Sequence, residues 1–74
     1  MKELVEYIAR SIVDHPDQVT VIETRTPGRV VLTLKVAPED VGKVIGKQGR
    51  IIQAIRTLLK VAAVKEGTKV MLEV

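Results

Sequence analysis

The sequence predicts an α+β fold in which three helices cover one face of a three-stranded mixed sheet. Apolar residues recur at helical spacing near the N-terminus and again after residue 50. Two β-branched runs are joined by a Pro-Gly pair, and a short alternating run closes the chain. A chain of 74 residues has room for a single domain. The predicted element order is α-β-β-α-α-β.

The first half of the chain predicts a helix followed by a β-hairpin. The helix is expected over residues 2–14, from the apolar positions Leu4, Val5, Ile8, Ile12 and Val13. It ends there because Pro16 disfavours helical geometry at His15. Val19–Thr26 and Arg29–Val36 have the composition of strands, and Pro27-Gly28 is typical of the turn between them.

The second half predicts two helices and a strand. Pro38 suits a first helical turn, and Glu39 and Asp40 complement the positive end of the helix dipole. This short helix extends to Ile45 and is interrupted by Gly46–Gly49. The longer helix that follows has a broad apolar stripe: Ile51, Ile52, Ile55, Leu58, Leu59, Ala62 and Ala63. The final strand is predicted by alternating Val70, Leu72 and Val74, after a loop at Gly67.

This element order constrains the sheet. The hairpin makes the first two strands antiparallel. The segment of roughly thirty residues before the third strand is long enough for a right-handed crossover, which would place that strand parallel to the second. The second strand, with its run Val30-Val31-Leu32, is therefore expected at the centre of the sheet.

Charge is distributed unevenly along the chain. Residues 1–40 carry a net charge of −2 and residues 41–74 a net charge of +5, within an overall +3. No acidic residue lies between Asp40 and Glu66, whereas six basic residues do: Lys43, Lys47, Arg50, Arg56, Lys60 and Lys65. A basic half favours a polyanionic partner, although a solvated basic helix face has the same pattern.

The residue inventory argues against an enzyme. The chain has one histidine (His15), one serine (Ser11) and no cysteine, so no nucleophile–base pair is convincing and no thiolate metal site is possible. Gly42–Gln48 superficially resembles a P-loop, but it has one residue too few between the glycines and Gln48 where a hydroxyl must meet magnesium. We expect no cofactor and no metal. The N-terminal stretch has no signal-peptide or membrane-span pattern, so we expect a soluble cytoplasmic protein.

The Gly46–Gly49 segment is suited to holding phosphate. Its glycines let the backbone approach a ligand without obstruction by a Cβ atom. The free N–H groups at the start of the next helix favour an anion, and Lys47 adds a mobile cation. A connection of purely structural importance between the two helices would also contain such glycines.

The same segment resembles a known family. Val44–Ile52, with the sequence VIGKQGRII, resembles the core motif of the KH domain, and the α-β-β-α-α-β order is that of the type II KH fold. The whole chain, residues 1–74, resembles a single type II KH domain of the small KhpA family of bacterial RNA-binding proteins. Ile45–Leu59 is the most specific stretch. Ile51 stands where many relatives have a more polar residue.

The resemblance implies a groove for about four nucleotides of a single strand. It assigns phosphate binding to the loop residues Gly46, Lys47, Gln48 and Gly49. It assigns the apolar floor to Val44, Ile45 and Ile52, the flanks to Lys43 and Arg50, and the far wall to Lys65, Lys69 and Met71. The three floor residues are equally suited to the core, and Arg56 and Lys60 to solvated helix surface. Because Tyr7 is the only aromatic residue, binding is expected to rest on phosphate contacts and aliphatic packing.

The implied function is non-enzymatic binding of single-stranded RNA, as a chaperone or post-transcriptional regulator. The resemblance also implies a homodimer, or a heteromer with a larger KH-containing RNA-binding protein. Two alternatives stay open on the residues alone. Phosphate clamping does not distinguish RNA from single-stranded DNA, and an uncovered sheet face would suit a protein-interaction module.

Overall fold

The computed structural model describes all 74 residues, and its helices and strands follow the predicted order. The regular elements are α1 (Lys2–Ile12), β1 (Thr20–Thr26), β2 (Arg29–Lys35), α2 (Val41–Ile45), α3 (Arg50–Lys65) and β3 (Lys69–Glu73). Single 3₁₀ turns lie at Pro16–Gln18, Pro38–Asp40 and Lys47–Gly49. The α+β class is confirmed. No helix combines the length and the apolar character that crossing a membrane requires.

The three strands form one mixed sheet with β2 at its centre. β1 pairs with β2 antiparallel, with Val21 opposite Leu34, and β3 pairs with β2 parallel, with Leu32 opposite Leu72. The parallel pairing follows from the crossover through α2 and α3, which returns the chain to the same end of the sheet. The predicted central position of β2 is confirmed.

One face of the sheet carries the core, and the helices cover it. Alternating strand residues point toward the helices and are buried: Val21, Val30, Leu32, Leu34 and Leu72. They pack with helical residues in one cluster that includes Val5, Ala9, Ile55 and Leu59. The intervening strand residues lie on the other face, where Ile22 and Met71 are exposed. This second face has no covering layer.

Two predicted features differ from the structure. Helix α1 ends at Ile12, two residues early, because Val13 is already extended (φ −94°, ψ 161°). The apolar stripe of α3 is also narrower than predicted. Its buried residues are Ile52, Ile55, Leu59 and Ala63, whereas Ile51 and Leu58 are exposed. A helix of this small domain meets the sheet along only one side, so Leu58 stays largely exposed and Ile51 lies beside the loop at Gly46.

Candidate nucleic-acid interface

The loop between α2 and α3 has three residues with positive φ. They are Gly46 (φ 77°), Gln48 (φ 57°) and Gly49 (φ 73°). Gly49 donates its N–H to the carbonyl of Gly46 at 3.1 Å, which closes the loop into a single tight turn. The side chains of Lys47 and Gln48 are exposed at the apex of this turn. The loop therefore presents its backbone and one cation to solvent.

The two glycines are required for different reasons. A Cβ atom at Gly46 would lie 2.6 Å from Ile51 Cγ1 and 2.8 Å from Ile51 Cβ, so the side chain of Ile51 occupies that space. The backbone of Gly46 (φ 77°, ψ 172°) is also in a region that essentially only glycine adopts. At Gly49 the nearest atom is Ile52 Cγ2 at 3.9 Å, so only the left-handed backbone favours glycine there.

The loop leads directly into the N-terminus of α3. The N–H of Arg50, the first residue of α3, donates to the carbonyl of Lys47, and no side chain caps the other N–H groups of the first turn. The dipole of this 16-residue helix adds partial positive charge at the same end. Lys47 makes no ion pair, and Arg50 Nη2 lies 3.4 Å from Gln48 Oε1. These features together favour an anion at the loop.

Lys43, which was predicted to flank the track, is already paired within the chain. Its Nζ lies 2.9 Å from Oδ2 of Asp14, at the C-terminal end of the α1 segment. The hydrogen bond and the charge of Lys43 lower the pKa of the Asp14 carboxyl, and Asp14 raises the pKa of Lys43 in turn. Both side chains are partly exposed, so solvent screens the pair.

The predicted apolar floor divides into two parts. Val44 is fully buried (0% exposed) and Ile52 nearly so (5%), and both belong to the core cluster. The side chain of Val44 has no accessible surface and that of Ile52 almost none, so both have the core role that the sequence left open for them. Their part in an apolar floor stays a prediction. Ile45 is half-buried and retains exposed apolar surface.

A cleft of about 780 Å³ lies between α3 and the free edge of β3. Its floor is aliphatic, with Leu59, Val70 and Leu72, and four cationic residues line it: Arg29, Arg56, Lys60 and Lys69. Arg56 Nη2 donates to the carbonyl of Leu72 at 3.1 Å, which ties the helix to the strand edge. The cleft begins about two turns along α3 from the loop, at the spacing of Arg56 from Gly49.

The residues predicted for the far wall of the groove lie partly in this cleft. Lys69 and Met71 line it. Lys65 does not line it, because it projects from a different side of α3. Arg29 was not singled out, because the predicted parallel pairing of β2 and β3 does not give the register that sets Arg29 opposite Lys69. Arg56 and Lys60 resemble ordinary surface residues until the strand edge is placed beside them.

Asp40 has a structural role that sequence reasoning missed. It was expected to complement a helix dipole, yet its side chain does not cap α2. Its carboxylate is fully buried and accepts hydrogen bonds from the backbone N–H groups of Asp14 (3.2 Å) and His15 (3.0 Å). His15 Nε2 lies 3.2 Å from Glu39 Oε2 in the same region. Asp40 thereby joins the end of the α1 segment to the start of α2.

No group of three or more potential metal ligands lies together anywhere in the chain.

The topology and the two-glycine loop between α2 and α3 define a KH domain of the type II arrangement. The chain belongs to the KhpA/KhpB KH-domain family, whose model matches residues 2–74. It is 60% identical to the "RNA-binding protein KhpA" of Clostridium acetobutylicum, over all of this chain and 99% of that protein. It is 52% identical to the protein of the same name from Treponema pallidum, over 99% of this chain and 91% of the relative. No solved structure matches the chain.

Proposed function

We propose that this chain is a non-enzymatic protein that binds single-stranded RNA through its Gly46–Gly49 loop. The observation that carries the proposal is the loop geometry. The positive φ angles of Gly46 and Gly49 form a tight turn, and the exposed, unpaired cation of Lys47 lies in that turn beside the N-terminus of α3. Such a site recognises the phosphate backbone, which every RNA sequence presents. The name that the relatives share, RNA-binding protein KhpA, supports RNA as the polyanion.

The proposed path of the strand runs from the loop toward the cleft beside β3. Phosphates bind at the loop with Arg50 beside them, bases pack on the exposed part of Ile45, and the strand continues between α3 and the β3 edge. A KH groove of this kind holds about four nucleotides. The cations of the cleft, including Lys60 and Lys69, supply further phosphate contacts. Without an aromatic platform, one domain binds weakly and with modest sequence selectivity.

In the cell, such binding suits an RNA chaperone or post-transcriptional regulator acting on small or messenger RNAs. Self-association, or pairing with a larger KH-containing RNA-binding protein, would strengthen weak binding by raising the effective concentration of a second site. An exposed apolar row on α3 favours association. Leu58 is 51% exposed, Val61 55% and Val64 71%, and residues three apart lie on one side of a helix. The family name KhpA/KhpB is consistent with a related partner.

The test is fluorescence anisotropy of a short random-sequence single-stranded RNA titrated with the wild type and with Lys47→Asp/Gln48→Asp. Aspartate tolerates the left-handed backbone at position 48 better than most residues, so this variant is expected to fold. We expect saturable micromolar binding by the wild type and a loss of at least tenfold in affinity for the variant, with thermal unfolding nearly unchanged.

The matched control is Lys2→Asp/Gln18→Asp, which makes the same change in charge on α1 and the turn after it. Neither position belongs to the loop or lines the cleft. The control should retain most of the affinity. Equal loss in both double variants would mean that only net charge matters, and the loop assignment would be wrong. Matched single-stranded DNA and duplex RNA show whether binding is selective for RNA and for single strands.

A further inference from the structure

The acidic end of the α1 segment lies against the helix that leads into the loop. Asp14 follows α1 by two residues, and its carboxylate holds the Nζ of Lys43, 2.9 Å away. Lys43 lies three residues before Gly46, within one helical turn of the loop. A lysine at this place is within reach of a phosphate bound at the loop. In the structure, however, its charge is directed toward Asp14.

The backbone of Asp14, the partner of Lys43, is held in place by the buried carboxylate of Asp40. The N–H of Asp14 donates to Oδ1 of Asp40 and the N–H of His15 to Oδ2, and Asp40 itself is fully buried. An ordinary surface ion pair has to order two flexible side chains, which cancels most of its Coulomb energy. Here the backbone of one partner is already fixed. The Asp14–Lys43 pair therefore forms at lower entropic cost than a pair between two mobile segments.

We propose that Asp14 is an internal counterion that competes with RNA phosphate for Lys43 and so limits the affinity of the loop. This inference rests on the proposed RNA-binding function. The two anions compete for one ammonium group. Its three N–H donors cannot make optimal hydrogen bonds to the Asp14 carboxylate and to a phosphate in the loop at the same time. RNA binding must either break the Asp14–Lys43 pair or proceed without Lys43. Either course leaves the domain with less affinity than its cations would otherwise provide.

The experiment is a double-mutant cycle on RNA affinity, with Asp14→Asn, Lys43→Gln and the double variant. Asparagine keeps the backbone N–H that donates to Asp40 and removes only the charge that holds Lys43. We expect Asp14→Asn to tighten binding of the single-stranded RNA about threefold at low salt. The salt dependence should become steeper by about 0.7 in the slope of log K against log salt, the value for one added phosphate contact of a single strand.

Two controls separate release of Lys43 from the removal of a negative charge. In the Lys43→Gln background, Asp14→Asn should give little gain, because no lysine is released. Asp17→Asn removes another exposed charge from the adjacent 3₁₀ turn, where the carboxylate has no ion-pair partner, and should change affinity by less than about 1.5-fold. Thermal unfolding of each variant shows that the fold persists.

Three results would overturn the inference: no gain in Asp14→Asn, an equal gain in Asp17→Asn, or a gain that persists without Lys43. Each of them is compatible with RNA binding at the loop, which the Lys47→Asp/Gln48→Asp variant tests separately. A wild type that binds no RNA would instead end the proposed function. Failure of the counterion is therefore distinguishable from failure of the binding site.

Discussion

The two glycines of the loop, Gly46 and Gly49, differ in how well each position tolerates a larger residue. At Gly46, alanine would meet both the Cβ and the Cγ1 of Ile51, and the Cβ is fixed by the helix backbone. At Gly49, alanine would meet nothing closer than 3.9 Å. The left-handed conformation costs a non-glycine residue about 1–2 kcal/mol, and the glycine-only region that Gly46 occupies costs about 1–3 kcal/mol before any clash.

We therefore predict that Gly46→Ala is far more destabilising than Gly49→Ala. Gly49→Ala should lower Tm by about 4–8 °C, which corresponds to about 1 kcal/mol in a domain of this size. Gly46→Ala should cost at least about 3 kcal/mol, a large part of the total stability of a small domain. Circular dichroism during heating measures both. Equal losses would show that Ile51 moves aside without cost. Gly46→Ala/Ile51→Ala removes the Cγ1 and Cδ1 contacts but keeps the Cβ of residue 51 at 2.8 Å, so it should recover only part of the loss.

The ionisation of Asp14 reports its contact with Lys43. The lysine lowers the pKa of this carboxyl below 3.8, its ordinary value. A lowered carboxyl pKa means that the pair stabilises the folded state above pH 3.8 and that this stabilisation is lost as the pH falls through the lowered value. The raised pKa of Lys43 acts at the other limit, where stabilisation is lost only as the pH rises above 10.5. Across neutral pH the pair is intact.

We predict that Lys43→Met raises the pKa of Asp14 toward its ordinary value. A titration followed by carboxyl ¹³C NMR measures it, and Asp17 in the same spectra is the internal reference, since it lies outside the pair. An unchanged Asp14 titration in Lys43→Met would mean that the lysine is not its partner in solution. The competition proposed for RNA binding would then have no basis.

At the scale of single residues, sequence reasoning located the loop but not the role of every residue near it. The spacing Gly46-Lys47-Gln48-Gly49 is visible in the sequence because glycine and charge are local signals. Val44 and Ile52 were ambiguous, since an apolar residue beside the loop suits the core and the groove alike. Only the packing of α2 and α3 on the sheet shows that both residues are buried. The role of Asp40 could not be predicted from the sequence, because the N–H groups that donate to its carboxylate belong to residues 25 and 26 positions away in the chain.

At the scale of elements, α3 has two tasks on different sides. One side packs on the sheet through Ile55 and Leu59, and the other leaves Leu58, Val61 and Val64 exposed. The sequence predicted a single broad apolar stripe, because periodicity records which residues are apolar and not which of them a neighbouring element covers. Because the buried stripe is narrower, Leu58, Val61 and Val64 form a contiguous exposed apolar row, a feature that often marks an interaction site.

We predict that this row mediates self-association. Val61→Glu should shift the protein toward monomer, because burying an unpaired carboxylate in an interface costs several kcal/mol. Sedimentation equilibrium of wild type and variant over a range of concentrations measures the shift. Ile22→Glu, on the open face of the sheet, is the matched control for an exposed apolar residue elsewhere. A wild type that stays monomeric at high concentration would contradict the prediction, and a stronger effect of Ile22→Glu would move the interface to the sheet.

At the scale of the whole molecule, charge is arranged by the fold as well as by the sequence. The acidic first half and basic second half are visible from composition. Arg29 belongs to the first half, yet it joins Arg56, Lys60 and Lys69 at the cleft because β2 and β3 lie side by side. The acidic residues Asp14, Glu39 and Asp40 meet at the end of the α1 segment. The fold thus gathers cations from both halves of the chain at the cleft, away from these carboxylates.

This separation predicts how RNA binding responds to salt. Each phosphate that a cation neutralises releases counterions, so log K falls linearly against log salt. Contacts with about 2–4 phosphates give a slope of roughly −1.5 to −3, and the net charge of the whole protein does not enter. Anisotropy titrations of single-stranded RNA from 50 to 400 mM KCl measure the slope for the wild type, for Lys60→Gln and for Lys2→Gln, whose lysine does not line the cleft. Lys60→Gln should reduce the magnitude of the slope of log K against log salt by about 0.7, whereas Lys2→Gln should leave the slope unchanged. A flat response in the wild type would mean that phosphate contacts do not drive binding, and a reduced slope in Lys2→Gln would place the strand on another surface.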